Sequence, residues 1–205
     1  MSFNTDFKFN SDKDLYANLS DLVSWTGSAV KRVQWSNEKI RDDFARRSTK
    51  KILEDGDSCF LNPCLDLSLV GYHALKDNGY SPDLLVEELY YHKYSSYSLH
   101  FAVNFDHNDE QYFLDFKELN RVIINKGEYK NINPLVESIQ IFPFDKDIPF
   151  DIGFVDLAKD FFPRMNHFSL NNLIERLVSY NKPSVHTDYL SQVGDAKNLY
   201  LEHLG

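Results

Sequence analysis

Apolar residues recur along this chain with two periods, and the change from one to the other marks out its elements. Leu15, Leu19, Leu22 and Val23 fall on one face at helical spacing, which predicts a helix within residues 11–27. Ile40, Phe44 and Ile52 form a narrower stripe through the charged stretch from Asn37 to Glu54. That stripe predicts a second helix, with Lys39-Ile-Arg-Asp-Asp-Phe-Ala-Arg-Arg as its solvated face. A third, compact helix runs from Cys64 to Asn78 and is ended by Gly79. Pro82 to Glu88 then reads as a strand, and Tyr90 to Tyr97 as a tyrosine-rich connection. Alternation over Leu99 to Phe105 and Gln111 to Phe116 predicts a hairpin, with shorter strands at Arg121 to Asn125 and at Ile139 to Phe144, the latter ended by Pro143. Helical spacing returns at Phe154 to Phe162, Leu170 to Tyr180 and Tyr189 to Leu204.

Helices first, antiparallel strands next and helices last imply an α+β fold. The chain is expected to be a single domain over residues 1–205. Residues 1–55 would form N-terminal helices, 56–145 a helix-and-antiparallel-sheet core, and 146–205 a helical C-terminal part.

The hairpin strands read Ser98-Leu-His-Phe-Ala-Val-Asn-Phe and Gln111-Tyr-Phe-Leu-Asp-Phe, joined by the turn-forming Asp106-His-Asn-Asp-Glu. Setting Phe105 opposite Glu110 leaves a four-residue loop, a common hairpin length. That register places His100 directly opposite Asp115, with Cβ atoms about 4.5–5.5 Å apart. It also gathers Phe101, Val103, Phe105, Tyr112 and Leu114 on a core face, leaving His100, Ala102 and Asn104 on the other.

The third helix opens on Asn62-Pro63-Cys64. Asn is a favoured N-cap and Pro is pre-set for the first helical position. Cys64 therefore sits in the first turn, where the helix favours negative charge and free backbone N–H groups can hold an oxyanion. Ser68 and Gly71 are small and lie on its side of the helix, so a sheet could approach closely. Leu67, Val70, Ala74 and Leu75 supply an anchoring apolar surface. Cys64, His100 and Asp115 have the types and order of a thiol nucleophile, its general base and an orienting carboxylate. The other histidines lie mid-helix (His73), in loops (His92, His107) or in the helical tail (His167, His186, His203).

Composition narrows the setting. A formal charge of −9 argues against nucleic acid and against an anionic membrane surface as partners. The 16 Phe and 12 Tyr favour a well-filled core or an aromatic-walled cleft. No stretch is long enough to span a membrane, and the first residues lack the basic flank and apolar run of a secretory signal, so a cytoplasmic setting is expected. Two cysteines, Cys59 and Cys64, make no disulfide framework, and Cys59, without a helix start, reads as structural. With no His or Cys partner at a ligand spacing, no metal and no cofactor are expected.

These residues resemble the transglutaminase-like cysteine superfamily, which includes transglutaminases, bacterial proteases, peptide N-glycanases and, more distantly, arylamine N-acetyltransferases. The shared pattern is a Cys-initiated helix, Gly and an apolar strand (Cys64-Leu-Asp-Leu-Ser-Leu-Val-Gly through Gly79 to Val86), then His100-Phe-Ala-Val-Asn-Phe, then Tyr112-Phe-Leu-Asp115. It covers roughly residues 60–116. The resemblance implies a papain-like cysteine fold and acyl chemistry on a peptide, protein or small-molecule substrate, with Cys64 as nucleophile, His100 as base and acid, and Asp115 as orienter. It also implies an oxyanion hole made by the Cys64 backbone N–H and one further group, for which Trp25, Trp35 and Ser58 are candidates. Two departures stand out: Asn62-Pro63 occupies the place of the family's Gly or Trp, and Phe116-Lys117-Glu118 replaces the Gly-Phe-Gly common in the acetyltransferases. The rival reading is an inactive domain of the same fold that binds a partner through Leu89-Tyr-Tyr-His-Lys-Tyr-Ser-Ser-Tyr. In that case the Cys64 sulfur would lie well away from the His100 ring.

Overall fold

The structure is a computed structural model, and it describes residues 4–91, 96–116, 121–123, 136–162 and 169–181. Three helices, α1 (Leu15–Ala29), α2 (Asn37–Asp43) and α3 (Thr49–Asp55), precede the long helix α4 (Cys64–Asp77). Two short strands, β1 (Lys31–Val33) and β2 (Asp57–Cys59), pair in parallel within that first part. The main sheet follows: β3 (Asp83–Tyr91), β4 (Ser96–His107), β5 (Glu110–Asp115), β6 (Arg121–Ile123) and β7 (Val136–Phe144). Its order is β6-β5-β4-β3-β7, with antiparallel neighbours throughout. Helices α5 (Phe154–Leu157) and α6 (Leu170–Tyr180) come after it. The α+β architecture expected from the sequence, a helix packed on an antiparallel sheet, is the one the chain adopts.

Helix starts follow local chemistry. Asp14, Ser36, Ser48 and Ser169 each accept a first-turn backbone N–H with their side chains, so α1, α2, α3 and α6 begin where capping oxygens stand. Ser48 also explains why the single helix expected over Asn37 to Glu54 is two. Between them Ala45 takes φ 60°, and its carbonyl accepts the Val155 N–H at 2.9 Å. The break buries Phe44 and turns Arg47 inward.

α4 is buried on every side from Cys64 to Leu75, as befits a helix in the middle of a core rather than on its surface. The expected close approach is realised twice. The Ser68 hydroxyl donates to the Phe101 carbonyl of β4 at 3.0 Å. At Gly71, a Cβ would stand 2.2 Å from the Phe116 ring, so only glycine fits. One contiguous core joins α1, α3 and α4 to Leu84, Val86, Phe101, Val103, Phe105, Tyr112 and Leu114 of the sheet. Leu85, Ala102 and Phe113, of the opposite parity, form a smaller cluster with Ile141.

Several expectations are corrected. Tyr90, Tyr91, Ser96 and Tyr97 are not a connection: β3 and β4 extend through them, with Tyr90 paired to Tyr97 and Tyr91 to Ser96. Residues 92–95 lie outside the described ones. β7 does not end at Pro143, which pairs with Leu85; β7 is an edge strand, where a missing N–H is tolerated. Of the helix expected at Phe154 to Phe162 only the first turn is α-helical, and Leu170 to Tyr180 forms as expected. The helix expected at Tyr189 to Leu204 lies outside the described residues. No described helix is long and apolar enough to cross a membrane.

Candidate active site

The segment that carries both cysteines is anchored at each end by one residue. Arg47 donates to Asp57 Oδ1 and to the Asp57 carbonyl, each at 2.9 Å, ahead of Cys59. It also donates to Asp66 Oδ2 at 2.5 Å, just past Cys64. A further bond to Asp55 at 3.1 Å and the Trp35 ring, 4.4 Å from the guanidinium carbon, complete its surroundings. Burial pushes the Asp66 carboxyl up to about 6 against the pull of Arg47. Sequence reasoning took Arg47 for part of a solvated face. The only hint was Ser48, whose capping role breaks the helix just after it.

Asn62 behaves differently from the N-cap it was expected to be. Pro63 already has helical dihedrals (φ −78°, ψ −15°), and no side-chain cap bond is made. Instead the Cys64 thiol donates to Asn62 Oδ1 at 2.7 Å. The oxygen that would have satisfied the first helical turn holds the sulfur.

His100 and Asp115 meet, though not in the expected register. The β4–β5 ladder pairs Phe105 with Tyr112 and His107 with Glu110, two residues away from the expected pairing. The loop is the two-residue Asn108-Asp109, with φ 51° and 64°. Positive φ at both central positions is the type I′ signature, and Asn and Asp tolerate it. A slip of two residues leaves every side chain on its own face. Carried one step further, the register sets Asp115 beside Ala102, so His100 and Asp115 approach diagonally rather than directly. The His100 Nε2–H donates to Asp115 Oδ1 at 2.9 Å.

The sulfur belongs to the same cluster. Cys64 is 4% exposed and His100 3% exposed. Burial opposes charge on the imidazole, but the charges of Asp115 and then Cys64, with the Asp115 hydrogen bond, raise its pKa well above the ordinary 6.5. The sulfur therefore lies within reach of the ring. In this state its proton is directed to Asn62, and the second ring nitrogen, Nδ1, is buried without a bond.

The other candidates fall elsewhere. Trp35 is held between Arg47 and Lys39, whose Nζ is 4.9 Å from the ring centre. Trp25 packs against Phe7 at 5.1 Å. Ser58 stands in β2 opposite Arg32, its hydroxyl buried and unpartnered. Cys59 is buried, and its thiol is pushed up to about 11 by burial, partly offset by the Leu61 and Asn62 backbone N–H groups. Among the described residues, no group of three or more His, Cys, Asp or Glu is arranged to hold a metal ion.

No family model matches the sequence, and no curated protein matches it. Among solved structures, the chain is similar to Legionella pneumophila LapG, with 16% identity over 80% of each chain and a TM-score of 0.42. The calcium-bound form of LapG gives 16% identity over 72% of this chain and 81% of that one, with a TM-score of 0.41. An arylamine N-acetyltransferase from Bacillus cereus with a Cys-His-Glu catalytic triad is similar at 14% identity over 84% of this chain and 71% of its own, with a TM-score of 0.42.

Proposed function

We propose that this chain is a thiol enzyme that performs acyl chemistry, hydrolysis or acyl transfer at an amide, ester or thioester carbonyl. The observation that carries the reading is a buried imidazole bound through Nε2 to Asp115, with Nδ1 unsatisfied and the Cys64 sulfur within its reach. Buried ring nitrogens are rarely left unbonded, and an unpaired one at a charged cluster calls for a functional explanation.

In this reading the Cys64 proton passes to His100 Nδ1, and the sulfur attacks the carbonyl carbon. The carbonyl π pair moves onto oxygen; its return expels the leaving group, which takes the proton from His100, and a thioester remains. Water or an amine, deprotonated by His100, then attacks the thioester, and the thiol leaves with the proton restored. Asp115 fixes the ring so that Nδ1 faces the sulfur, and it stabilises the imidazolium formed in each half-reaction. Acyl donors and acceptors are peptides, proteins or small molecules; cofactors have no part in these steps.

The test uses p-nitrophenyl acetate as a generic acyl donor and iodoacetamide as a thiol probe, with the modified residue located by peptide mass. Acetylation and alkylation are expected at Cys64, and both should fall in the His100→Ala variant. Equal labelling of Cys59 and Cys64, unchanged by that substitution, would overturn the proposal.

A further inference from the structure

We infer that the Asn62 side-chain amide is the second donor of the oxyanion hole, a role that rests on the acyl-transfer reading above. Asn62 is a polar side chain hydrogen-bonded to the reacting atom: it is 8% exposed, and its amide lies 2.7 Å from the Cys64 sulfur. Pro63 fixes the link between them, because its ring locks φ and its dihedrals are already helical. The amide and the sulfur are thus held side by side by a rigid two-residue step.

Asn62 also leaves the helix end free. An asparagine before a helix ordinarily satisfies a first-turn N–H with its oxygen. Here the oxygen is turned to the sulfur and no side-chain cap bond forms. Pro63 has no N–H to offer, so the Cys64 N–H is the first of the helix, ahead of the Leu67 N–H that begins the intrahelical bonding to Pro63. The backbone donor and the side-chain amide therefore flank one sulfur.

The chemistry asks the amide for different groups at different stages. While the thiol keeps its proton, Oδ1 accepts it, as observed. Once the proton has moved to His100, Oδ1 would face a negative sulfur with nothing to accept. A half-turn about the Cβ–Cγ bond, a broad two-fold torsion in asparagine, presents Nδ2–H₂ instead. As the S–C bond forms and the carbonyl π pair moves onto oxygen, that oxygen lies next to the sulfur. There Nδ2–H and the Cys64 N–H can both donate to it. When the pair returns and the leaving group departs, both donors are released. Of the positions proposed earlier for this donor, Trp25 packs against Phe7, and the Trp35 Nε1 and Ser58 Oγ atoms are buried without a hydrogen bond, so neither is bonded to the sulfur as Asn62 is.

The experiment separates a reaction that makes an oxyanion from one that does not. Acetylation of Cys64 by p-nitrophenyl acetate passes through a tetrahedral oxyanion; alkylation by iodoacetamide is a displacement at a saturated carbon. Asn62→Ala is expected to slow acetylation by about 10²–10³-fold, the usual cost of removing one oxyanion donor. Alkylation of Cys64 should stay within about threefold of the native rate, because that reaction makes no oxyanion. Asn62→Gln, which keeps the amide on a longer stem, should recover part of the acetylation rate, and circular dichroism and melting of both variants establish that they fold. A parallel fall in both reactions would mean that Asn62 only positions the thiol and would overturn the inference, as would no change in either. Failure of the underlying reading looks different: in the native chain itself, Cys64 alkylation would be indifferent to His100→Ala.

Discussion

Cys59 and Cys64 sit five positions apart, are both free and are 1% and 4% exposed, yet their surroundings differ in kind. Cys59 ends a short strand among apolar neighbours, and burial pushes its thiol up to about 11, leaving it neutral at physiological pH. Cys64 begins a helix beside an asparagine oxygen and an imidazole that Asp115 holds in place. Burial alone makes a cysteine inert; burial beside a positioned base makes it a nucleophile candidate. The contrast shows that reactivity here is a property of partners, brought from β4 and β5, rather than of exposure.

The strongest way to break the comparison is to remove the partners. Cys64→Ala should abolish acetylation by p-nitrophenyl acetate, and His100→Ala should reduce it by at least about a thousand-fold, whereas Cys59→Ser should leave it near the native rate. Asp115→Asn should cost less than His100→Ala but still about a hundred-fold or more, through the wrong tautomer. Stopped-flow release of p-nitrophenolate measures all four.

The next effect is structural and touches both cysteines. Arg47→Ala leaves the buried Asp66 without its partner and takes from Asp57 one of its two cations, Lys39 being the other, so it should destabilise the protein by about 3–5 kcal/mol in urea titration. If stability changes little, Arg47 is not the tie between the two segments. Gly71→Ala drives a methyl into the Phe116 ring and should cost about 1–3 kcal/mol. Because Phe116 follows Asp115, acetylation should fall as well, and a variant that loses stability but keeps full activity would show that the ring's place does not govern the acid.

The smallest effect separates two buried histidines by pH. Burial, with Lys76 nearby, lowers His73 to about 4, below the ordinary 6.5. Its contribution is present above pH 6.5 and is lost as pH falls towards 4, by roughly 1–2 kcal/mol between pH 7 and pH 5. His100 runs the other way. Its raised pKa gives a contribution complete below 6.5 that is lost as pH rises through the folded-state value. Urea titrations across pH should therefore show His73→Phe less sensitive to acid than the native chain and His100→Gln less sensitive to alkali. A native-like pH profile in either variant would remove that histidine from the account.

How much of this was legible beforehand depends on range. The His–Asp pairing was read through a register that is two residues wrong, and it survived because strand side chains alternate with period two. A one-residue error would have put Asp115 on the other face. The type I′ turn was signalled by Asn108-Asp109 but was outweighed by a longer loop of similar composition. Ser68 and Gly71 announced a close approach and not what approaches: the Phe101 carbonyl of β4 and the ring of Phe116, just after β5, are remote in sequence.

The order of Cys64, His100 and Asp115, the helix that starts at Cys64 and the faces of the hairpin were determined by the sequence itself, since each depends on residue types at fixed short spacings. Tertiary structure alone decided that Arg47 turns inward to Asp57 and Asp66, that Asn62 gives its oxygen to the thiol instead of the helix, and that one buried cysteine meets an imidazole while the other does not. Such contacts join segments whose relative positions follow from packing the whole core, and no local period encodes them.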